Sequence, residues 1–244
     1  KIVGGELRQG ALDGVMVDAV AKAAEVPLAD VRRAHMFSGS LGVAAVAALT
    51  GGRDALAAVA MQPGRAVQPM LAAPATDVAD ALAVIGGPAS VEWKLDGARV
   101  QAHRRDGDVR LYTRNLNDIT DRLGSVVAAV RALPGGDLVL DGEVLGVGDD
   151  GAPRRFHDTM GDFGADALAG RGHGLQAFFF DVLHAGGASV VDEQLAVRRE
   201  LLTATVPAPA RLPSLVTTDP EEASAFLDRA IDAGHEGVVV KDLA

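Results

Sequence analysis

Only 4% of the 244 residues are aromatic, and none is cysteine. Without cysteine the chain can form no disulfide, no thiolate metal site and no thiol nucleophile. Aliphatic side chains must therefore supply most of the core of a chain whose hydrophobic content is 48%. The sequence also lacks an apolar run of membrane-spanning length and a signal peptide, so we expect a cytoplasmic protein with no membrane partner.

Positive charge is scarce as well, with 23 Lys and Arg residues against 33 Asp and Glu residues and a net charge of -10. The whole excess lies in residues 63–244, which contain 17 basic and 27 acidic residues, whereas residues 1–62 contain six of each. This balance argues against a protein whose entire surface binds nucleic acid. It still allows a local basic track.

Lysine is the scarcest charged residue, since only four of the 23 basic residues are lysines: Lys1, Lys22, Lys94 and Lys241. Arginine serves wherever a surface needs a cation, because the guanidinium stays protonated in proteins. Lysine is needed where chemistry uses an amine that can lose its proton. Lys94 and Lys241 both lie in the motifs described below, which makes them candidates for such chemistry.

The pattern of apolar residues divides the chain into three parts. Residues 1–62 have helical spacing and form part of an all-α unit, with Ser40 as a predicted N-cap and a break between two helices at Gly51-Gly52. Residues 63–75 contain three prolines and are a predicted linker. Residues 76–244 alternate hairpins with helices, which predicts an α+β core of antiparallel sheets flanked by helices.

Local signals within the mixed region predict particular turns and helices. Asp106-Gly107 is typical of a two-residue hairpin turn, and we interpret Asp141-Gly142 as a second turn between two strands. Apolar spacing predicts a helix over Asp118–Leu133. Asp219 is a predicted N-cap, and Glu222 three residues later is expected to complete a capping box.

Several familiar phosphate and metal motifs are missing. Neither internal lysine of the mixed region follows the glycine pattern of a Walker A loop. The segment 146–151 fits GxGxxG, but Asp149 and Asp150 place carboxylates in it, and Ala152-Pro153 follows where a helix should begin. The six histidines show no HExxH spacing, which argues against a histidine metal site.

The segment around Lys94 is the first that indicates chemistry. In an extended chain, Glu92, Lys94 and Asp96 share one face while Trp93 points away, and Gly97 then lets the backbone turn sharply. A solvated polar face is the ordinary interpretation of such a pattern. It does not explain why the only tryptophan lies beside the only lysine of a long arginine-rich stretch.

Five ordered segments resemble the motifs of covalent nucleotidyltransferases, the superfamily of ATP-dependent ligases and mRNA capping enzymes. Lys94–Gly97, followed by Arg99, resembles the active-site motif KxDG. Its companions appear in the order of the family: Tyr112–Asn115, Leu140–Glu143, Phe179–Asp181 and Glu236–Lys241. The flanks resemble DNA ligases in particular, because Glu6–Gly10 is similar to the end of their helical DNA-binding domain and Gln68–Ala72 to the linker that follows it.

The resemblance implies an adenylation domain at residues 76–244, preceded by the linker 63–75 and by the C-terminal part of a helical DNA-binding domain at 1–62. It implies that Lys94 attacks ATP and passes AMP to the 5′-phosphate of nicked double-stranded DNA, in a monomeric enzyme. The nucleotide-binding residues implied are Glu92, which reads the adenine amino group, Phe180, which stacks on the base, and Arg99, Arg114, Glu143 and Lys241. The implied ligands of Mg²⁺ are Glu143 and Glu236.

The sequence departs from the family pattern at its end. The lysine-containing motif expected soon after Lys241 and the OB-type domain are missing, so we expect the 244-residue chain alone to seal nicks poorly. Two alternatives stay open, namely an RNA ligase or capping guanylyltransferase, and a nucleotide- or DNA-binding module without catalysis. The intact set of Lys94, Glu143, Glu236 and Lys241 argues against the second.

Overall fold

The computed structural model describes residues 12–148 and 175–244. Within these residues the helices are α1 (Leu12–Ala23), α2 (Leu28–Ser38), α3 (Leu41–Ala57), α4 (Val78–Ile85), α5 (Gly124–Ala132), α6 (Leu195–Thr205) and α7 (Pro220–Asp232). The strands are β1 (Ala89–Lys94), β2 (Ala98–Arg105), β3 (Asp108–Thr113), β4 (Leu138–Gly146), β5 (Leu175–Ala185), β6 (Ala188–Ser189), β7 (Ser214–Thr217) and β8 (Gly237–Asp242). The segments 6–10 and 149–153, which the sequence analysis considers, lie outside the described residues.

The chain divides between Pro69 and Met70 into two compact units. The first is helical, and the second combines helices with two antiparallel sheets. The fold class is therefore α+β, as the sequence pattern predicts. Among the described residues, no helix is both long enough and apolar enough to cross a membrane.

The N-terminal unit packs α1, α2 and α3 around a small apolar core that includes Val31 and Ala44. Ser40 caps α3, because its Oγ accepts a hydrogen bond from the N–H of Val43 at 3.4 Å. Gly52 interrupts α3 with a non-helical φ of 58° and ψ of -142°. Both the predicted cap and the predicted break between two helices are therefore confirmed.

The five-stranded sheet, counted in the described residues, has the antiparallel order β3-β2-β4-β5-β6. The predicted hairpin between β2 and β3 is confirmed, with Asp106 at φ 50° and Gly107 at φ 83° as its two turn residues. Positive φ at both positions is typical of a type I′ turn. One face of this sheet packs against Val126 and Val130 of α5 in the largest apolar cluster of the second unit.

The three-stranded sheet, again counted in the described part of the chain, has the order β7-β1-β8 with both neighbours antiparallel to β1. Val91 of β1 is fully buried in a cluster with α4 and with Phe226 of α7, and Trp93 packs against the same cluster. Side chains alternate along a strand, so Glu92 and Lys94 point to the opposite face of the sheet. This face carries the candidate site.

The helix predicted over Asp118–Leu133 begins later than expected. Asp118 Oδ1 accepts hydrogen bonds from the backbone N–H and the hydroxyl of Thr120, at 2.9 and 2.5 Å. Thr120 Oγ1 in turn accepts from the N–H of Leu111 at 3.0 Å. Such local bonds compete with helical hydrogen bonding, so a short 3₁₀ helix forms first and α5 begins only at Gly124.

The interpretation of Asp141-Gly142 as a turn is wrong. β4 runs through both residues without interruption, from Leu138 to Gly146. A Cβ atom on Gly142 would lie 2.7 Å from the carbonyl oxygen of Phe178 and 2.7 Å from Cδ1 of Phe179. Glycine is therefore needed because β5 approaches too closely for a side chain, and not because the backbone turns.

The capping box predicted at the start of α7 forms only in part. Asp219 is the N-cap, because its Oδ1 accepts from the N–H of Glu221 at 2.8 Å. The N–H of Asp219, however, donates to Thr217 Oγ1 at 2.9 Å and not to Glu222. The hydroxyl of Thr217 donates to the Glu222 carboxylate at 2.6 Å, so the threonine joins the two residues that were expected to bond directly.

Candidate active site

Lys94 is the last residue of β1, and its Nζ contacts the carboxylate of Glu236. The backbone of Glu236 binds the same strand end, because its N–H donates to the carbonyl oxygen of Lys94 at 3.0 Å. The Lys94 side chain is 52% exposed, so the amine is held in place yet accessible to a ligand. The predicted alternation stops at Lys94, since β1 ends there and Asp96 lies exposed before β2.

Trp93 supports the strand end from the other face. Its ring centroid lies 4.9 Å from that of His235 and 6.0 Å from that of Phe226. His235 directly precedes Glu236, so this ring contact helps to hold the carboxylate that meets Lys94. Burial lowers the pKa of His235, which favours the uncharged ring at neutral pH.

Glu92 is only 2% exposed although it carries a carboxylate. Ser90 Oγ donates to its Oε1 at 2.9 Å, and Arg199 Nη1 donates to the same oxygen at 3.3 Å. Lys241 Nζ lies 2.5 Å from the other oxygen, Oε2. A buried carboxylate is costly unless it is paired and hydrogen-bonded, so these donors account for its position inside the protein.

The ring of Phe180, on β5, lies close to two cations of the site. Lys241 Nζ is 4.5 Å from the ring centroid, and Arg99 Cζ is 5.6 Å from it. A cavity of about 310 Å³ opens beside Phe180 and Glu92, with Arg199 in its wall. An aromatic face next to a buried hydrogen-bond acceptor is suited to a flat heterocyclic base with an amino group.

Arg99 is tied to its surroundings by all three guanidinium nitrogens. Nε and Nη2 donate to the two carboxylate oxygens of Asp141 at 3.1 and 2.7 Å, and Nη1 donates to the carbonyl oxygen of Met70 at 2.8 Å. Asp141 is only 6% exposed. Forked pairs of this kind fix geometry as well as charge, so Arg99 belongs to the framework of the site.

Glu143 stands on β4 directly across the ladder from Arg99 of β2. Burial raises the pKa of Glu143 to about 7, and the carboxylates of Asp141 and Asp96 add to the rise, whereas Arg99 and Lys94 oppose it. The carboxylate therefore lies in surroundings that disfavour its negative charge. A divalent cation bound there would relieve this unfavourable interaction.

Gly97 brings the loop after β1 against β4. A Cβ atom on Gly97 would lie 2.5 Å from the carbonyl oxygen of Val144 and 2.8 Å from Cγ of Glu143. Its φ lies outside the left-handed region, so the sharp turn expected from the sequence is not the reason for the glycine. The reason is space, because the absent side chain lets the loop that carries Asp96 approach Glu143.

The family model of the ATP-dependent DNA ligase domain matches residues 69–244. The chain belongs to this family. The ligase domain so matched contains both sheets and every side chain of the site described above.

Full-length relatives of the ligase domain are longer than this chain. A probable DNA ligase of Pseudarthrobacter chlorophenolicus is 52% identical over 239 residues, which are 98% of this chain and 46% of the relative. A probable DNA ligase of Anaeromyxobacter dehalogenans is 51% identical over 242 residues, which are 98% of this chain and 47% of the relative. The chain thus spans about half the length of these curated relatives.

Solved structures of ligases also align with the chain. The ATP-dependent DNA ligase from bacteriophage T7, determined in complex with ATP, is 18% identical to it. The alignment covers 71% of this chain and 62% of the phage enzyme, with a TM-score of 0.49.

Arg114 is the predicted site residue of the ligase domain that no contact among the described residues links to the others. It is exposed in the turn after β3, and among the described residues no hydrogen bond or ion pair involves its side chain. The remaining predicted residues are linked by contacts or electrostatic interactions within one site: Glu92, Lys94, Arg99, Glu143, Phe180, Glu236 and Lys241.

The two predicted ligands of Mg²⁺ fit the metal as a pair of carboxylates. Residues 12–148 and 175–244 contain no cluster of three or more His, Asp or Glu side chains that could hold a metal ion. Mg²⁺ at nucleotide sites commonly takes one or two carboxylates and completes its shell with phosphate oxygens and water. Glu236 contacts Lys94 and Glu143 interacts electrostatically with the same lysine, so both carboxylates are coupled to one amine.

Two arginines of α6 belong to the ligase site although the sequence analysis does not select them. Arg198 donates through Nε and Nη2 to Asp181 at 2.8 and 3.0 Å. Arg199 reaches Ser90 and Glu92 of β1. Adjacent arginines in an amphipathic helix are ordinarily a solvated face, so only their contacts identify them.

Proposed function

We propose that the chain is the catalytic part of an ATP-dependent DNA ligase and that Lys94 is the residue that carries AMP. The position of the Lys94 amine supports this proposal most directly. The amine lies at the accessible end of β1 against Glu236. On the same face of β1, the Glu92 carboxylate lies beside Phe180 at a cavity.

In the proposed first step, the neutral amine of Lys94 attacks the α-phosphorus of ATP. An N–P bond forms, and the bond between that phosphorus and the pyrophosphate oxygen breaks. An ammonium group has no lone pair, so Lys94 must first give a proton to a neighbouring base or to water. Arg99 and Lys241 are the proposed phosphate-side cations, which would offset the phosphate charge.

The base is proposed to lie between the Glu92 carboxylate and the Phe180 ring. Glu92 would accept a hydrogen bond from the adenine amino group, and Phe180 would stack on the base. Lys241 contacts both residues in this structure and would move towards the phosphates when the base enters. Arg114, exposed in the turn after β3, is the proposed ribose-side contact.

Mg²⁺ is the proposed metal, with Glu143 and Glu236 as its protein ligands. Bound there, it would offset the negative charge that develops on the phosphates during transfer. The raised pKa of Glu143 supports this assignment, because a carboxylate crowded by other carboxylates gains from a divalent cation.

The later steps concern the whole protein, of which this chain spans about half by comparison with its relatives. We propose nicked double-stranded DNA as the partner: its 5′-phosphate takes AMP from Lys94, and the 3′-hydroxyl then displaces AMP and seals the strand. Residues 1–62 are proposed as part of a DNA-binding domain, 63–75 as a linker and 76–244 as the adenylation domain. A monomeric, cytoplasmic enzyme that joins DNA during replication, repair or recombination is expected.

The test is incubation of the chain with Mg²⁺ and either ATP or GTP, followed by intact-mass analysis. We expect an acid-labile AMP adduct from ATP, a much slower adduct from GTP, and no adduct from either nucleotide in Lys94→Ala. A faster adduct from GTP than from ATP would instead support a capping guanylyltransferase. No adduct, both in this chain and in a version extended to the length of its relatives, would overturn the catalytic proposal and favour a binding module.

A further inference from the structure

The two oxygens of the Glu92 carboxylate have different surroundings. A carboxylate oxygen can accept about two hydrogen bonds. Among the described residues, Oε1 already accepts from Ser90 Oγ at 2.9 Å and from Arg199 Nη1 at 3.3 Å. Oε2 meets only Lys241, at 2.5 Å, in the same described part of the chain. Oε1 is therefore saturated by protein, and Oε2 is the oxygen left for a ligand.

Arg199 is fixed by a pair of serines on neighbouring strands. Its Nη1 donates to Ser90 Oγ at 2.6 Å and its Nη2 donates to Ser214 Oγ at 3.0 Å. Glu92 of β1 and Ser214 of β7 are direct partners in the antiparallel ladder. The guanidinium thus spans β1 and β7 from α6, and it cannot turn towards a ligand without breaking these bonds.

We propose that Arg199, seated on Ser90 and Ser214, is a positioning residue that sets the base preference of Glu92. The inference rests on the proposed function, in which Glu92 faces the base. Adenine presents an amino group at position 6, and guanine presents a carbonyl oxygen there. With Oε1 saturated, the carboxylate offers the base only the acceptor Oε2, which attracts the amino group and repels the carbonyl.

The fixed guanidinium also removes a way of accepting the wrong base. An arginine that could rotate would donate to the guanine carbonyl and so offset the repulsion from Glu92. The two serine hydroxyls prevent this rotation by accepting from Nη1 and Nη2. Arg199 therefore acts through Glu92, which it contacts directly, and through the two serine bonds that fix its own position.

The experiment compares Arg199→Lys and Ser214→Ala with the wild-type chain. A lysine keeps the charge, but its donors all belong to a single ammonium nitrogen. It therefore cannot bridge both serines and Glu92. Adduct formation is followed by intact mass at increasing ATP and at increasing GTP, which separates half-saturating concentration from maximal rate. Binding of AMP and GMP is followed through the fluorescence of Trp93, the single tryptophan, as a readout independent of chemistry.

We expect the preference for ATP over GTP to fall about tenfold in Arg199→Lys and less in Ser214→Ala, since a hydrogen bond to a charged group is at stake. The fall should appear in the half-saturating concentrations, with the maximal rate for ATP changed by less than about twofold. Arg110→Lys is the matched control, because this arginine pairs with the exposed Asp118 and not with Glu92. Its ATP preference should stay at the wild-type value.

An unchanged preference in Arg199→Lys would overturn the inference while leaving the proposed function intact, provided that wild type still forms the adduct. If Arg199→Lys fails to fold, Ser214→Ala decides, because it removes one hydroxyl from the exposed side of the network. Equal preference in Ser214→Ala and wild type would then count against the inference. If wild type neither binds AMP nor forms an adduct, the proposed function and the inference fall together.

Discussion

The two sheets that border the site hold their carboxylates with different cations. At the three-stranded sheet, Lys94 and Lys241 meet Glu236 and Glu92 through a single ammonium each, and Arg199 also donates to Glu92. At the five-stranded sheet, the carboxylates are gripped by forked guanidinium groups, as in the pair of Arg99 with Asp141. Asp181 of β5 is held in the same way from α6.

This difference separates contacts that can be exchanged from contacts that are fixed. A forked guanidinium pair is directional and stays charged, so it suits a framework. An ammonium can rotate, change partners or lose its proton. Two of the four lysines of the chain occur at the three-stranded sheet, and this is the sheet where the proposed reaction requires contacts to change.

Lys94→Arg replaces the ammonium at the end of β1 by a guanidinium. The variant keeps a cation at the strand end, but a guanidinium cannot supply a neutral nucleophile at ordinary pH. We expect AMP-adduct formation to fall by more than about a thousandfold, measured by intact mass under single-turnover conditions. Lys22→Arg is the control, because Lys22 pairs with Asp18 on the exposed surface of α1. This variant should form the adduct on Lys94 at the wild-type rate. An adduct on Lys94→Arg, mapped by peptide mass to Lys241, would move the nucleophile to β8.

Arg99→Lys makes the opposite exchange at the five-stranded sheet. The variant keeps the charge but loses the fork to Asp141 and the bond to the Met70 carbonyl. We expect the free energy of unfolding to fall by about 2 kcal/mol, because a largely buried carboxylate loses part of its pairing. Denaturant titration measures this value.

The matched control for that exchange is Arg110→Lys. Arg110 meets Asp118 through one contact of 3.1 Å, and both side chains are largely exposed. An exposed pair of this kind contributes little, so a change below about 0.5 kcal/mol is expected. Equal losses in the two variants would show that the fork at Asp141 has no special role in stability.

The sequence leads to the candidate site where the proposed chemistry requires a particular residue type. The scarcity of lysine and the order of the five motifs lead to Lys94, Glu92, Glu143, Phe180 and Lys241, and the structure brings these residues together. What their roles are in catalysis stays a prediction.

The same sequence does not predict features that depend on the pairing of distant strands. The hydrogen bonds that hold Arg199 require the strand register that places Ser214 beside Glu92, and no local sequence pattern encodes this register. Asp141-Gly142 has the composition of a turn, yet close packing against β5 is what requires the glycine. Thr217 replaces a predicted cap contact because its hydroxyl happens to lie between the two capping residues.

Glu143 differs from the carboxylates held by the lysines and arginines of the site, because burial disfavours its charge at neutral pH. Burial raises its pKa from 4.5 to about 7, with Asp141 and Asp96 adding to the rise. The folded protein therefore binds this proton more tightly than the unfolded chain. The resulting stability is fully present below about pH 4.5 and is lost as the pH rises through about 7.

Glu143→Gln should remove the loss of stability at high pH, because the amide is uncharged at every pH. We expect the variant to match wild type near pH 4.5 and to exceed it at pH 8 by about 1 to 2 kcal/mol, allowing for the partial exposure of the carboxylate. Adding Mg²⁺ with a non-hydrolysable ATP analogue should stabilise wild type more at pH 8 than at pH 6, because the metal requires the ionised carboxylate, and should stabilise the variant less. Glu200→Gln, on the exposed face of α6, should leave the pH dependence of unfolding unchanged. Parallel pH profiles of unfolding for Glu143→Gln and wild type would mean that the carboxylate already has a partner that offsets its burial. The proposal of a metal at this position would then lose its electrostatic basis.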